Sequence, residues 1–144
     1  MNILNSTLLG VFLLFLPLLL TSQNEYDIET NQSFLALYQA GESYFNEKKL
    51  KQAANSFEKA IQLKPDFAAT YRRLGATYEL MKEYHRAAEL YDEALSLDPK
   101  MSRTLYFQSG EMHLKNGNYE IAHDRFQSFK SYLNLPAEAF TMEK

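Results

Sequence analysis

The chain has 144 residues, 46% hydrophobic and 14% aromatic, which is the composition of a folded protein and enough length for one core of ordinary size but not for two. Lys and Arg number 15 against 18 Asp and Glu, and the resulting net charge of −3 provides no overall field to recruit nucleic acid or an anionic membrane surface. With no cysteine, disulfides, thiol catalysis, Cys-ligated zinc and bacterial lipidation are excluded.

The N-terminus is the sharpest compositional break. Leu8 to Leu20 reads LLGVFLLFLPLLL, 13 residues without a charge, and the polar, acidic QNEYDIETNQS follows from Gln23. That run is short of the roughly 20 apolar residues that cross a bilayer, and Pro17 stands where signal peptides often break. Residues 1–22 are therefore expected to be a cleaved secretory signal, cut near Ser22. The leading MNILNST carries no Lys or Arg, and Leu20 departs from the small-residue rule at cleavage sites. An uncleaved membrane anchor over residues 3–22 is the alternative. In both cases Glu25, Asp27 and Glu29 follow the apolar run, so the remainder is expected to be translocated, to a periplasmic, cell-surface or secreted location. Residues 23–33 are expected to be a polar linker, with Ser33 as the N-cap of the first helix.

From Phe34 onward the chain repeats itself. Gly41 and Gly75 lie 34 positions apart, and the same offset pairs Leu37 with Tyr71, Tyr44 with Tyr78, Ala53 with Ala87, Phe57 with Tyr91, Ala60 with Ala94 and Pro65 with Pro99. A third copy follows after one extra residue, with Tyr106, Gly110, Tyr119, Ala122, Phe126 and Tyr132. Within a unit, apolar or small residues recur at helical spacing in two successive segments, as in Tyr71, Leu74, Tyr78 and then Ala87, Tyr91, Ala94. A glycine inside a helix costs about 0.5–1 kcal/mol relative to alanine, so three in register imply a close crossing that a side chain would hold apart. KPD and DPK stop the second helices, since proline cannot continue a helix. KNGN at Lys115–Asn118 makes a turn with a glycine suited to positive φ, and Ser102 is an expected N-cap.

These residues resemble the tetratricopeptide repeat, a 34-residue helix–turn–helix unit with this large–small–aromatic pattern and a closing proline. The resemblance implies an all-α, right-handed solenoid of about three units, at 34–67, 68–101 and 102–135, with a short capping segment at 136–144. The third unit departs from the pattern at Ser109, His113, Phe129 and Asn134, as a last repeat without a following neighbour does. Phe126, Phe129 and Tyr132 are candidates for an exposed C-terminal interface, for a partner or for self-association.

The resemblance also implies a concave groove lined by first helices: Tyr38, Gln39, Glu42 and Phe45 from the first unit, Arg72, Arg73, Ala76 and Glu79 from the second, and Phe107, Gln108, Glu111 and Leu114 from the third. Two aromatics at equivalent offsets, Tyr38 and Phe107, with an arginine pair between them would hold a peptide or short helix of a partner protein. The bland alternative is that Glu42, Glu79 and Glu111 neutralise the arginines. Relatives that clamp chaperone C-terminal carboxylates carry Lys and Asn on these faces; Tyr38, Glu42, Thr104 and Gln108 here argue against that subtype.

Nothing in the sequence suggests catalysis, a metal site or a cofactor. His85, His113 and His123 show no i, i+4 pair, and His113, at a packing position, is expected to be a satisfied, partly buried histidine. Glu89, Asp92 and Glu93 are expected on solvated outward faces. The expected function is an exported protein-interaction scaffold binding a peptide segment or helix. A membrane-tethered structural or self-associating subunit and a non-catalytic accessory to an enzyme system are the alternatives.

Overall fold

The computed structural model describes residues 27–133, and among them there are six helices and no strand. They are α1 (27–46), α2 (Leu50–Leu63), α3 (Ala68–Leu80), α4 (Tyr84–Leu97), α5 (Arg103–Lys115) and α6 (Tyr119–Leu133). They form three hairpins, α1/α2, α3/α4 and α5/α6, stacked as an α-helical solenoid, with α2 packed on α3 and α4 on α5. The expected signal (1–22) and the whole of the expected capping segment (136–144) lie outside the described residues.

Each hairpin closes on a glycine. A Cβ placed on Gly75 would sit 2.7 Å from the Tyr91 ring, and one on Gly41 or Gly110 would meet Phe57 or Phe126 at 2.6 or 2.7 Å. The ring from the second helix rests against the bare backbone of the first, so the propensity lost to glycine is exchanged for burial of an aromatic. Phe57 and Tyr91 are wholly inaccessible to solvent; full burial of such a side chain contributes about 1.5–3 kcal/mol. Small residues complete the crossing: Ala53 and Ala60 in α2, Ala87 and Ala94 in α4, all fully buried.

The turn inside each hairpin is the same Schellman motif three times. Lys49 N–H donates to Tyr44 O, Glu83 N–H to Tyr78 O and Asn118 N–H to His113 O, each at 2.9 Å. The motif needs a left-handed residue, supplied by Gly117 (φ 80°) in the third unit as its sequence suggests, but by Lys48 (φ 61°) and Lys82 (φ 63°) in the others. A lysine there carries strain of about 1 kcal/mol. Between units, Tyr71 Oη donates to Pro65 O at 2.9 Å and Tyr106 Oη to Pro99 O at 3.2 Å, fixing each first helix to the loop before it.

Two boundary expectations change. The helix expected from Phe34 already runs at residue 27, so the linker is helical from there and Ser33 lies inside the helix rather than capping it; with no Gly or Pro between Asp27 and Ser33, nothing interrupts the helix. Ser102 does stand before α5 in extended geometry, but its hydroxyl pairs with Thr104 Oγ1 at 2.7 Å instead of a backbone N–H.

Candidate partner-binding groove

The first helices carry the predicted groove residues, and the molecule uses them unequally. Arg73 of α3 forms a two-pronged ion pair with Glu42 of α1 and lies over the Phe45 ring, 4.8 Å from its centroid. Hydrogen bonding to Glu42 raises the guanidinium pKa above its ordinary value. Arg73 and Glu42 therefore lock the first two units together, and the bland alternative holds for this half of the arginine pair. Arg72, one residue earlier, forms no hydrogen bond or ion pair among the described residues and is half-buried.

Tyr38 and Phe107 stand at the places equivalent to Arg72, and both are braced from below. Tyr38 packs edge-on against Phe57 (5.7 Å) and Phe67 (6.0 Å); burial, then Glu42, raises its hydroxyl pKa. Phe107 is 41% exposed and rests on Phe126 (5.5 Å) and Phe129 (5.4 Å). Gln108 and Glu111 are half-buried on α5 and make no side-chain hydrogen bond among the described residues.

One groove contact was not foreseen. The Tyr91 ring passes beneath Gly75 and its hydroxyl donates to Glu79 Oε2 at 2.6 Å, so α4 fixes a carboxylate on the face of α3. Burial, reinforced by Glu79, pushes that hydroxyl far above its ordinary range. The signal was present in the sequence, because Phe57 and Phe126 fill the equivalent places and only the middle unit adds an oxygen.

The three residues expected at a C-terminal interface make contacts within the described residues. Phe126 covers Gly110, Phe129 packs on Phe107, and Tyr132 stacks on Tyr106 at 5.2 Å with its hydroxyl on Pro99 O. All three turn inward to their own hairpin and are half-buried. At the positions where Ala54 and Ala88, or Ile61 and Leu95, face the next unit, α6 presents His123 and Lys130, both exposed.

Asp92 also departs from expectation. It is a hub rather than a solvated carboxylate: Oδ1 accepts from Ser109 Oγ (2.6 Å) and Arg125 Nε (2.9 Å), and Oδ2 lies 2.8 Å from His113 Nε2. Burial works to raise its pKa, but the bonds from Ser109, Arg125 and His113 prevail and hold it below the usual carboxylate range. His113 is 5% exposed, with Asn118 Nδ2 3.4 Å from its Nδ1, the satisfied histidine expected from its position. The substitutions that look like drift in the third unit, Ser109 and His113, are thus partners of one carboxylate.

Among the described residues no three His, Asp or Glu converge as a metal would require, and no helix is long and apolar enough to cross a membrane. Family models for the TPR repeat match residues 41–82, and for the tetratricopeptide repeat residues 68–101. Residues 41–101 thus carry tetratricopeptide repeats. It is 36% identical over 70 residues to the chloroplastic tetratricopeptide repeat domain-containing protein PYG7 of Arabidopsis thaliana, covering 48% of this chain and 23% of that protein. It is 45% identical over 51 residues to Hsp70-Hsp90 organizing protein 3 of the same plant, covering 35% and 9%. The chain thus matches less than a quarter of the length of these relatives. The solved first TPR of Spaghetti (RPAP3), bound to HSP90 peptide SRMEEVD, superposes with a TM-score of 0.65 at 19% identity, covering 75% of this chain and 85% of that one, a likeness of fold.

Proposed function

We propose that this chain is an exported protein-interaction module, without catalysis of its own, that holds a segment of a partner protein along the face of α1, α3 and α5. The observation that carries the reading is Arg72: a guanidinium without an ion-pair partner among the described residues, between two braced aromatics, on first helices where Leu35, Leu80, Phe107 and Leu114 are 51%, 47%, 41% and 48% exposed. Exposed apolar side chains around an uncommitted cation are the makings of a docking surface. Peptide occupancy in the Spaghetti structure supports a peptide or protein partner. With Tyr38 and Glu42 at the places where chaperone-tail clamps carry Lys and Asn, the occupant is a different segment from a chaperone terminus. Export rests on the apolar run Leu8–Leu20 and the acidic residues after it.

Arg72→Glu should abolish capture of the partner from an envelope extract while leaving helix content unchanged. Undiminished capture would remove the groove from consideration. N-terminal sequencing of the protein from its native host should find a start near Gln23; an intact Met1 would favour the tethered alternative.

A further inference from the structure

Among the described residues, two groove charges are left over once the pairings between them are made. Glu42 closes on Arg73, and Glu79 accepts the Tyr91 hydroxyl. Arg72 and Glu111 form no hydrogen bond or ion pair among the described residues, either with each other or with a neighbour. Repeat equivalence sets them on adjoining first helices, Arg72 at the level of Phe107 and Glu111 at the level of Ala76, one helical turn further along.

The surface between them is shaped by repeat equivalence. Ala76 stands level with Glu42 and Glu111, so the middle helix offers a methyl group where both flanking helices carry carboxylates. Arg72, Ala76 and Leu80 follow one another down one face of α3 at intervals of about 6 Å. Leu80 is 47% exposed, and Leu114 of α5, in the place equivalent to Glu79, is 48% exposed.

We propose that the groove recognises a bipolar stretch of its partner, in which an acidic side chain meets Arg72, a basic one meets Glu111, and an apolar one lies on Leu80 and Leu114. This rests on the reading of the α1, α3 and α5 face as the partner site. The intervals along α3 suit an extended segment, whose same-face side chains recur about every 7 Å. Opposite charges held at a fixed separation act mainly on specificity: a segment lacking one sign loses a pair, and a segment with the order reversed meets like charge twice.

The test uses the full chain and labelled synthetic peptides read by fluorescence anisotropy. One set carries the pattern acidic–x–basic–x–Leu, a second replaces the basic residue by Gln, a third replaces the acidic residue by Gln, and a fourth is neutral. The bipolar set should bind roughly tenfold tighter than either singly charged set, the scale of a well-made charge pair. Arg72→Gln should erase the preference for the acidic residue and Glu111→Gln the preference for the basic one, both with unchanged helix content. The double variant Arg72→Glu/Glu111→Arg should prefer peptides with the two charges exchanged. Acid-only peptides binding as tightly as bipolar ones, or Glu111→Gln without effect, would overturn bipolar recognition while leaving the groove in place if binding still falls with Arg72→Glu and Phe107→Ala. Binding that ignores both of those variants would overturn the groove reading itself, and the bipolar proposal with it.

Discussion

The seam between the first two units and the seam between the last two occupy equivalent positions, yet they are held by different chemistry. In the first, Tyr78 of α3 donates to Glu58 of α2 at 2.6 Å, and Arg86 lies over the Tyr78 ring at 3.8 Å with Glu58 within 3.3 Å. In the second, His113 takes the place of Tyr78 and Asp92 the place of Glu58, joined by Ser109 and Arg125. The first seam leaves an open crevice of about 430 Å³ lined by Tyr71, Tyr78 and Leu90 among others. At the position of Leu90 the third unit carries Arg125, which reaches across to Asp92. One geometric rule, a carboxylate on a second helix accepting from the following first helix, is thus met by a tyrosine hydroxyl beneath an arginine in one place and by a histidine–serine–arginine network in the other. A repeat constrains the contact, and the residues that satisfy it are free to change together.

The largest test of this contrast removes each acceptor. Asp92→Ala strands the buried His113, Ser109 and the inward guanidinium of Arg125, and should cost about 3 kcal/mol. Glu58→Ala releases the Tyr78 phenol, buried like His113 but bordering the open crevice, and an exposed arginine, and should cost about 1–2 kcal/mol. Urea midpoints measure both; equal losses would mean that the two seams bear the same strain.

Titration should separate the seams next. Asp92 has a folded pKa below its unfolded one, so its contribution is present above pH ~4 and is lost as pH falls through the folded value. Tyr78 is pushed up to about 12, chiefly by burial and then by Glu58, so its contribution is complete below pH 10.0 and fades as pH rises toward about 12. Asp92→Asn should flatten the acid limb of the stability profile and Tyr78→Phe should soften the alkaline limb, where Tyr91 also contributes. Limbs unmoved by these variants would assign the titrations elsewhere.

The smallest effect concerns the hairpin turns. Lys82→Gly should relieve the left-handed strain and raise stability by up to about 1 kcal/mol, whereas Gly117→Lys should lower it by a similar amount. A loss on Lys82→Gly, seen in thermal melts, would show that the lysine side chain contributes more than its backbone geometry costs.

Much of the architecture was legible in advance because a repeat states its contacts several times. Gly41, Gly75 and Gly110 marked the crossings, and their ring partners Phe57, Tyr91 and Phe126 appeared at a constant offset. The groove was legible as a set of positions but not as a set of roles. Arg72 and Arg73 are adjacent and chemically identical, and only the approach of Glu42 from α1 separates the residue that ties two units together from the one that makes no ion pair among the described residues. Phe126, Phe129 and Tyr132 looked like an apolar end face because their periodicity fits either side of a helix end; the rings of Phe107 and Tyr106 decide the side.

The sequence by itself determined three helical hairpins, the glycine at each crossing and the stop after each pair, since these follow from local periodicity, propensity and a repeat length that any unit reveals. Tertiary structure alone decided which charges are already satisfied: Asp92 shared among Ser109, His113 and Arg125, Arg73 closed on Glu42, and Arg72 and Glu111 without a hydrogen bond or ion pair among the described residues. Whether a charge is spent depends on which side chain arrives from a neighbouring helix, often some 30 positions away, and pairing at that distance leaves no local pattern to read.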